Sequence, residues 1–160
     1  AIHSLNEQQL APFRNQHIGF IYQSHHLIPE LTAIENVMLP LLVRGESHHI
    51  AKEKASQLLL ELGLKDRATH IPAHLSGGEA QRIAVARAII NQPTLILADE
   101  PTGNLDESTA QTVFKMMREV CKNQNIAVIM VTHSRFFADA CDEVYELAHQ
   151  QLHKQATKNP

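Results

Sequence analysis

The sequence predicts an α/β protein with a mostly parallel sheet flanked by helices. Short apolar runs rich in β-forming residues occur at residues 17–22, 94–98 and 127–132, and polar or turn residues follow each run. Segments with apolar residues at helical spacing lie between these runs. Continuously apolar strands that alternate with helices are typical of a parallel sheet covered on both faces.

Helix start and stop signals place five helices around the strands. The predicted helices span residues 32–43, 47–62, 76–90, 108–122 and 135–141. Thr32 and Ser76 each stand three residues before a glutamate, which is the pattern of a capping box at a helix N-terminus. A last strand is predicted at residues 144–147. Residues 1–16 are polar and stay unassigned, and residues 151–160 are predicted to form a loose tail.

The composition favours a soluble protein of one domain. The chain has 160 residues, of which 44% are hydrophobic and 19% are charged. Its net charge of -3 gives no electrostatic reason to expect nucleic-acid binding. Two cysteines, Cys121 and Cys141, fit a reducing compartment better than a disulfide framework. Because no apolar run is long enough to span a bilayer, we expect a cytoplasmic protein, which could still dock on a membrane protein.

Two adjacent carboxylates, Asp99 and Glu100, follow the apolar run at residues 94–98. In a parallel sheet, ligands bind beyond the carboxyl ends of the strands. Side chains alternate along an extended chain, so the two carboxylates can take different roles. One can hold a hydrated Mg²⁺, and the other can orient or deprotonate an attacking water. The alternative is that both are solvated side chains at a strand end.

A glycine pair, Gly77 and Gly78, follows Ser76 at the predicted start of a helix. Free backbone N–H groups and the helix dipole attract an anion there, and the glycines leave room for it. The alternative is that Ser76 only caps the helix. His133, at another strand end, can hydrogen-bond a phosphate oxygen, and Gln23 closes the first strand. Each of these two side chains, taken alone, is more often structural.

Five short motifs in this chain resemble those of the ABC ATPase family. L-S-G-G-E-A-Q at residues 75–81 is similar to the family signature, and L-I-L-A-D-E-P at residues 95–101 to its Walker B strand and catalytic glutamate. I-Y-Q, G-N-L-D and V-T-H resemble the Q-loop, the D-loop and the switch histidine. The motifs occur in the family's order and cover nearly all of the chain. The longer stretches F-I-Y-Q-S-H-H-L and A-D-E-P-T-G-N-L-D are similar to the subgroup that powers lipoprotein release from the bacterial inner membrane.

The resemblance implies ATP and Mg²⁺ as cofactors and a role for each motif residue. Asp99 and Gln23 would bind the metal ion. Glu100 would act as the general base for the attacking water, and His133 would contact the γ-phosphate. The residues expected to bind the nucleotide, in part a nucleotide held by a second subunit, are Gln23, Ser76, Gly77, Gly78, Glu79, Gln81 and Asp106.

The resemblance also implies a fold and a cellular setting. The chain would be a partial ABC ATPase domain of the P-loop NTPase type, with residues 1–23 and 75–150 in a RecA-like core. Residues 24–74 would form an inserted α-helical subdomain that presses on integral-membrane permease subunits. A second ATPase subunit would complete a dimer at the cytoplasmic face of the bacterial inner membrane, and no nucleic-acid partner is expected. The activity implied is transport-coupled ATP hydrolysis.

No G-x-x-x-x-G-K-[ST] motif, the usual phosphate-binding loop, occurs in the chain. The resemblance implies that this loop and the N-terminal part of the fold lie upstream of Ala1. We therefore expect the isolated chain neither to bind ATP tightly nor to hydrolyse it. We also expect the missing strand to lie beside the strand that ends at Asp99, so that its absence exposes apolar edges.

Three alternatives remain open on the sequence alone. An ATPase of the macrolide-exporter type shares much of the motif sequence. A non-transport ABC ATPase of chromosome maintenance or DNA repair is a second class, but no heptad run marks the long coiled coil such proteins carry. A non-catalytic remnant that only binds a partner is the third. The lack of a phosphate loop favours the remnant, whereas Glu100 and His133 argue against it.

Overall fold

Three parallel strands form the central sheet of the molecule. The computed structural model describes residues 6–155. In spatial order, the strands are β1 (Ile18–Tyr22), β2 (Leu95–Asp99) and β3 (Ala127–Val131). Tyr22 lies beside Asp99, and Asp99 lies beside Val131. The carboxyl ends of all three strands therefore meet at one edge, which confirms the predicted parallel α/β sheet.

Six α-helices surround or connect the strands within residues 6–155. They are α1 (Glu7–His17), α2 (Ala33–Val43), α3 (His48–Glu61), α4 (Gly77–Ile89), α5 (Glu107–Asn123) and α6 (Arg135–Asp139). The five predicted helices are confirmed, and α1 lies in the segment that the sequence leaves unassigned. Its capping box uses Asn6 and Gln9, and it has no buried residue, so no apolar face marks it in the sequence. None of these helices combines the length and the apolar character needed to cross a membrane.

Helix α4 is buried along most of its length. It contacts β1, α2 and α5 and so joins the sheet to the helices on one face. A Cβ added to Gly19 of β1 would overlap the carbonyl group of Ala88 in α4. The strand and the helix therefore approach this closely only because residue 19 has no side chain.

Residues 24–74 contain α2, α3 and two short 3₁₀ turns, and no strand. The buried Asn36 of α2 holds the loop that follows β1 through hydrogen bonds. Its Nδ2 donates to the carbonyls of Ile28, Leu31 and Thr32, each at 3.1 Å, and its Oδ1 accepts the Ile28 N–H at 2.8 Å. Helix α2 packs on both α3 and α4, which attaches this segment to the rest of the chain. The division into a helical subdomain and a core stays a prediction.

The strand that ends at Asp99 is the central strand of the three. It pairs with β1 on one side and with β3 on the other. The expected open edge beside it is not found in the described chain, because both of its edges are hydrogen-bonded, and the position of an upstream strand stays a prediction. The exposed aliphatic side chains of this sheet lie on β3, where Val128, Ile129 and Val131 are 38%, 58% and 60% exposed.

A hairpin of β4 (Tyr145–Ala148) and β5 (Gln151–Lys154) follows α6. The predicted strand at residues 144–147 is confirmed to within one residue, whereas the prediction of a loose tail from residue 151 is wrong as far as Lys154. His149 and Gln150 form the turn with φ angles of 48° and 63°. Such turns normally use Asn or Gly, so the sequence carries no turn signal here. Residues 156–160 of the predicted tail, like residues 1–5, lie outside the described residues.

Candidate functional site

Glu100 follows the end of β2 in the left-handed backbone region, with a φ angle of 44°. This region is uncommon for residues with a side chain and persists where surrounding contacts impose it. One such contact is the hydrogen bond from the Glu100 N–H to the Val131 carbonyl of β3, at 2.9 Å. The backbone at Glu100 is therefore tied to the neighbouring strand at the point where both strands end.

The Glu100 carboxylate is also held against the end of β3. Its Oε2 accepts a hydrogen bond from the Thr132 hydroxyl at 3.2 Å, and its Oε1 accepts one from the backbone N–H of His133. A cavity of about 290 Å³, lined in part by Glu100, Thr102 and Ser134, leaves this side chain accessible. The structure thus brings Glu100 and His133 together. The sequence does not single out Thr132, although its hydroxyl stands directly before His133.

Gln23, directly after β1, is joined to the turn that follows Glu100 by two hydrogen bonds. Its Nε2 donates to Asn104 Oδ1 at 2.9 Å, and Asn104 Nδ2 donates back to the Gln23 carbonyl at 3.2 Å. A Cβ added to Gly103 would lie 2.9 Å from Gln23 Nε2, so the turn packs closely on this amide. The sequence cannot reveal this pairing, because 81 positions separate Gln23 from Asn104.

Asp99 and Gln23 lie at the ends of neighbouring strands, and both side chains are exposed. A carboxylate and an amide oxygen are donors that suit Mg²⁺. Across residues 6–155, no group of three or more His, Cys, Asp or Glu could hold a metal ion by itself. The pair therefore fits a Mg²⁺ ion that takes most of its ligands from water and phosphate, as in phosphoryl-transfer sites.

The N-terminus of α4 is closed by a capping box. The Ser76 hydroxyl accepts the Glu79 N–H at 3.2 Å, and Glu79 Oε2 accepts the Ser76 N–H at 2.8 Å. Glu79 Oε1 also accepts Arg67 Nε at 2.7 Å. The hydrogen bond from the Ser76 backbone, followed by that from Arg67, lowers the pKa of Glu79 to about 2. Both carboxylate oxygens of Glu79 accept hydrogen bonds within the chain, and its contact with the nucleotide stays a prediction.

The two glycines of α4 pack against the start of α5. A Cβ added to Gly77 would lie 3.3 Å from Leu105 Cδ2, whereas one added to Gly78 would overlap the Thr109 methyl group. Asp106 caps α5, and its Oδ1 accepts the Thr109 N–H at 3.0 Å. Hydrogen bonds from the Thr109 side chain and backbone lower the pKa of Asp106. Close packing of two helix starts is therefore a second reason for glycine at position 78, beside room for an anion.

Gln81 is a predicted site residue whose side chain the structure places inside the molecule. Its side chain is 2% exposed, and its Nε2 donates to the Tyr22 carbonyl at 3.1 Å. In the described chain this amide lies below the surface, and its contact with the nucleotide stays a prediction. Gln81 anchors the end of β1, immediately before Gln23.

The other predicted residues form two groups. Gln23, Asp99, Glu100 and His133 lie at the shared edge of the three strands. The exposed Ser76 and Gly77, with the buried Gly78, lie at the start of α4 beside the cap of α5. The turn at residues 103–106 touches both groups, since Asn104 binds Gln23 and Leu105 lies against Gly77.

Comparison with known proteins finds a matching family model and similar sequences. Residues 2–103 match the family model described as ABC transporter. The chain is 52% identical over 149 residues to "Lipoprotein-releasing system ATP-binding protein LolD" of Legionella pneumophila (strain Lens), covering 93% of this chain and 66% of that protein. The protein of the same name from Xanthomonas axonopodis pv. citri (strain 306) is 50% identical over 153 residues, covering 96% and 63%. The chain thus spans about two thirds of the length of these curated relatives.

A solved structure has a fold similar to that of this chain. A dimeric structure of a post-hydrolysis state of the ATP-binding cassette MJ0796, bound to ADP and Pi, has a TM-score of 0.83 and 33% sequence identity. The match covers 97% of this chain and 69% of that one. The parallel strands with Asp99 and Glu100 at their carboxyl edge, the family model and the relatives all agree, and the chain belongs to the ABC transporter family.

Proposed function

We propose that this chain belongs to an ATP-hydrolysing subunit that powers lipoprotein release from the bacterial inner membrane. The observation that carries the hydrolytic part is the Glu100 carboxylate, held by Thr132 and His133 beside Asp99 and Gln23. Support for the lipoprotein part comes from the relatives, which are named as ATP-binding proteins of the lipoprotein-releasing system.

Glu100 is the proposed general base for the attacking water. An ionised carboxylate offers about four lone-pair sites, so Glu100 can keep its hydrogen bonds to Thr132 and His133 and still accept a proton from water. The same two hydrogen bonds restrict rotation of the carboxylate and so favour a single orientation toward the water. His133 is proposed to hydrogen-bond the γ-phosphate through its imidazole.

Asp99 and Gln23 are the proposed Mg²⁺ ligands. When bound, the ion would neutralise charge on the nucleotide phosphates. Ser76 and the backbone N–H groups of Gly77 and Gly78, at the start of α4, are proposed to contact the γ-phosphate of ATP held by a second ATPase subunit. Asp106, which caps α5 beside them, is proposed to communicate across that dimer. The dimeric MJ0796 cassette supports this arrangement.

Residues 24–74 are the proposed contact with permease subunits at the cytoplasmic face of the inner membrane. The segment is helical and packs on α4 through α2. A movement of this segment would therefore be transmitted directly to the helix that begins at Ser76. Photo-crosslinking from the exposed Glu53 of α3 to a co-expressed permease would test this contact.

The hydrolytic role is tested with Glu100→Gln in protein expressed from the complete reading frame that encodes this chain. We expect ATP hydrolysis to fall at least about 100-fold while ATP binding persists, because the amide cannot accept the proton. Glu119→Gln, on the exposed face of α5, is the matched control. Hydrolysis by Glu100→Gln within twofold of the unchanged protein would refute the role.

The lipoprotein role is tested by complementation. The complete reading frame is expressed in bacteria depleted of their own lipoprotein-releasing ATPase, and lipoproteins in the outer membrane are measured. Restoration by the unchanged protein and none by Glu100→Gln is expected. An active ATPase that restores nothing would overturn the substrate assignment alone.

The 160-residue chain by itself is proposed to bind ATP weakly and not to hydrolyse it, because it contains no phosphate-binding loop of the G-x-x-x-x-G-K-[ST] type. Calorimetric titration of the isolated chain with MgATP measures this directly. Micromolar affinity or steady turnover by the chain alone would contradict it.

A further inference from the structure

We infer that Asn104 is a positioning residue that fixes the side-chain amide of Gln23 with its Oε1 free to bind the metal ion. The inference rests on the proposed function, in which Gln23 is a Mg²⁺ ligand. It adds a residue that acts on the site through Gln23 and touches neither the metal nor the nucleotide.

A side-chain amide has an oxygen that accepts and a nitrogen that donates, and rotating it by 180° exchanges the two. Only the oxygen can bind a cation, because the NH₂ group directs its hydrogens outward. A Gln23 amide in the wrong orientation would present those hydrogens to the ion. Metal binding at Gln23 therefore requires something to select one of the two orientations.

The orientation of the amide is selected first by a group that can only accept hydrogen bonds. The backbone carbonyl of Gln23 can only accept hydrogen bonds, and it accepts Asn104 Nδ2 at 3.2 Å. This bond determines which side of the Asn104 amide is nitrogen. Asn104 Oδ1 must then face the end of the Gln23 side chain.

The Asn104 oxygen in turn determines the orientation of Gln23. Gln23 Nε2 donates to it at 2.9 Å. After a 180° rotation, Gln23 Oε1 would face Asn104 Oδ1, and two acceptors would oppose each other without a hydrogen between them. The observed arrangement leaves Gln23 Oε1 without a hydrogen-bond donor in the described part of the chain.

Two further contacts hold the backbone and the amide in place. Buried Gln81 donates to the Tyr22 carbonyl at 3.1 Å, which fixes the chain one residue before Gln23. Gly103 packs so closely that an added Cβ would lie 2.9 Å from Gln23 Nε2. Gly103→Ala should therefore displace the Gln23 amide while leaving Asn104 unchanged, which gives a second and independent perturbation.

The orientation is tested without metal, by NMR of the Gln23 side-chain amide in the 160-residue chain. The resonances are assigned by their loss in Gln23→Ala. We expect their exchange with water to be about two- to tenfold faster in Asn104→Ala and in Gly103→Ala, the range expected for loss of one net hydrogen bond. Asn123→Ala, at the exposed end of α5, is the control for loss of an asparagine.

The metal contact is tested with Mn²⁺ and ATP together as the probe, on the same variants made in protein expressed from the complete reading frame, because the ion takes most of its ligands from water and phosphate. The Mn²⁺ concentration that half-broadens the Gln23 amide should rise about two- to tenfold in Asn104→Ala and Gly103→Ala and stay unchanged in Asn123→Ala. Equal broadening in Asn104→Ala and the unchanged chain, or equal amide exchange in the two, overturns the inference and leaves the proposed function standing. If Mn²⁺ with ATP broadens neither Gln23 nor Asp99 in the unchanged protein, the metal site of the proposed function fails, and the inference fails with it.

Discussion

The contact between Arg67 and Glu79 allows a quantitative prediction about the helix that begins at Ser76. The Glu79 side chain is 18% exposed and receives Arg67 Nε at 2.7 Å. Its Oε2 accepts the Ser76 N–H at 2.8 Å and so completes the capping box. Replacing Glu79 with Gln keeps an oxygen for the Ser76 N–H, because Gln also serves in this position, but removes the negative charge.

The magnitude follows from the pKa of Glu79, which is lowered from 4.5 to about 2. At full strength this difference corresponds to roughly 3 kcal/mol of folding free energy. Water reaches the pair, since the Arg67 side chain is 43% exposed, and screening reduces the contribution to about 1–2 kcal/mol. We expect Glu79→Gln to lower the free energy of unfolding by this amount at pH 7.

The pH dependence has a defined sign. A carboxyl whose pKa is lower in the folded state stabilises the fold fully above its unfolded pKa, and the stabilisation is lost as pH falls toward its folded pKa. The difference between the unchanged chain and Glu79→Gln should therefore be constant above about pH 5. It should shrink from pH 4.5 downward and approach zero near pH 2, the two pKa values of Glu79.

Urea unfolding at several pH values measures this difference. Glu53→Gln is the matched control, because Glu53 is an exposed glutamate with no ion pair among the described residues. In a double-mutant cycle, Arg67→Met should cost about 1 kcal/mol less in the Glu79→Gln background than in the unchanged chain. A difference that does not change with pH, or a coupling energy of zero, would refute the electrostatic reasoning.

Three further predictions concern packing and burial. Gly78→Ala should destabilise the chain by about 2 kcal/mol in urea unfolding, because its Cβ overlaps the Thr109 methyl group. Adding Thr109→Ser to the Gly78→Ala variant should restore most of the lost stability. Gly77→Ala should change stability by less than about 0.5 kcal/mol, and equal losses in the two alanine variants would contradict the packing argument. Asn36→Ala should cost about 3 kcal/mol, since it leaves buried backbone groups unpaired, and a cost below 1 kcal/mol would show that water replaces the amide. Burial raises the pKa of Cys121 to about 11, so iodoacetamide should modify this thiol at pH 8 at least about 100-fold more slowly in the folded than in the urea-unfolded chain; rates within tenfold would contradict this.

The sequence predicts most of the fold because its signals are local. Apolar runs mark the three parallel strands, and capping residues mark the helices that begin after Thr32 and Ser76. Strand order is not local, and the central position of the strand ending at Asp99 cannot be read from its own residues. The turn at His149 and Gln150 is not predicted for a different reason, because its positive φ angles occur in residues other than Gly or Asn.

The same distinction separates the site residues that the sequence predicts from those it misses. Residues at strand ends, such as Gln23 and Glu100, are found because parallel strands bring their carboxyl ends together. Thr132 and Asn104 act through side-chain hydrogen bonds that span 32 and 81 positions, and Arg67 through one that spans 12. No periodicity or local motif records such a contact, so these partners become visible only in three dimensions.

Glu100, the proposed general base, and Gln23, the proposed metal ligand, are held in place by different parts of the sheet. The Glu100 N–H and both of its carboxylate oxygens bond to β3 or to the residues directly after it, namely to Val131, Thr132 and His133, whereas its carbonyl accepts the Gly103 N–H. β3 also exposes three aliphatic side chains, and a loss of order there would release the Glu100 N–H and both of its carboxylate oxygens together. Gln23 is held instead by Asn104 and by the end of β1, on the other side of the central strand. Covering β3 would therefore order the proposed general base without altering the proposed metal ligand, and the Gln23 amide and the Glu100 carboxylate should respond separately when that strand is stabilised.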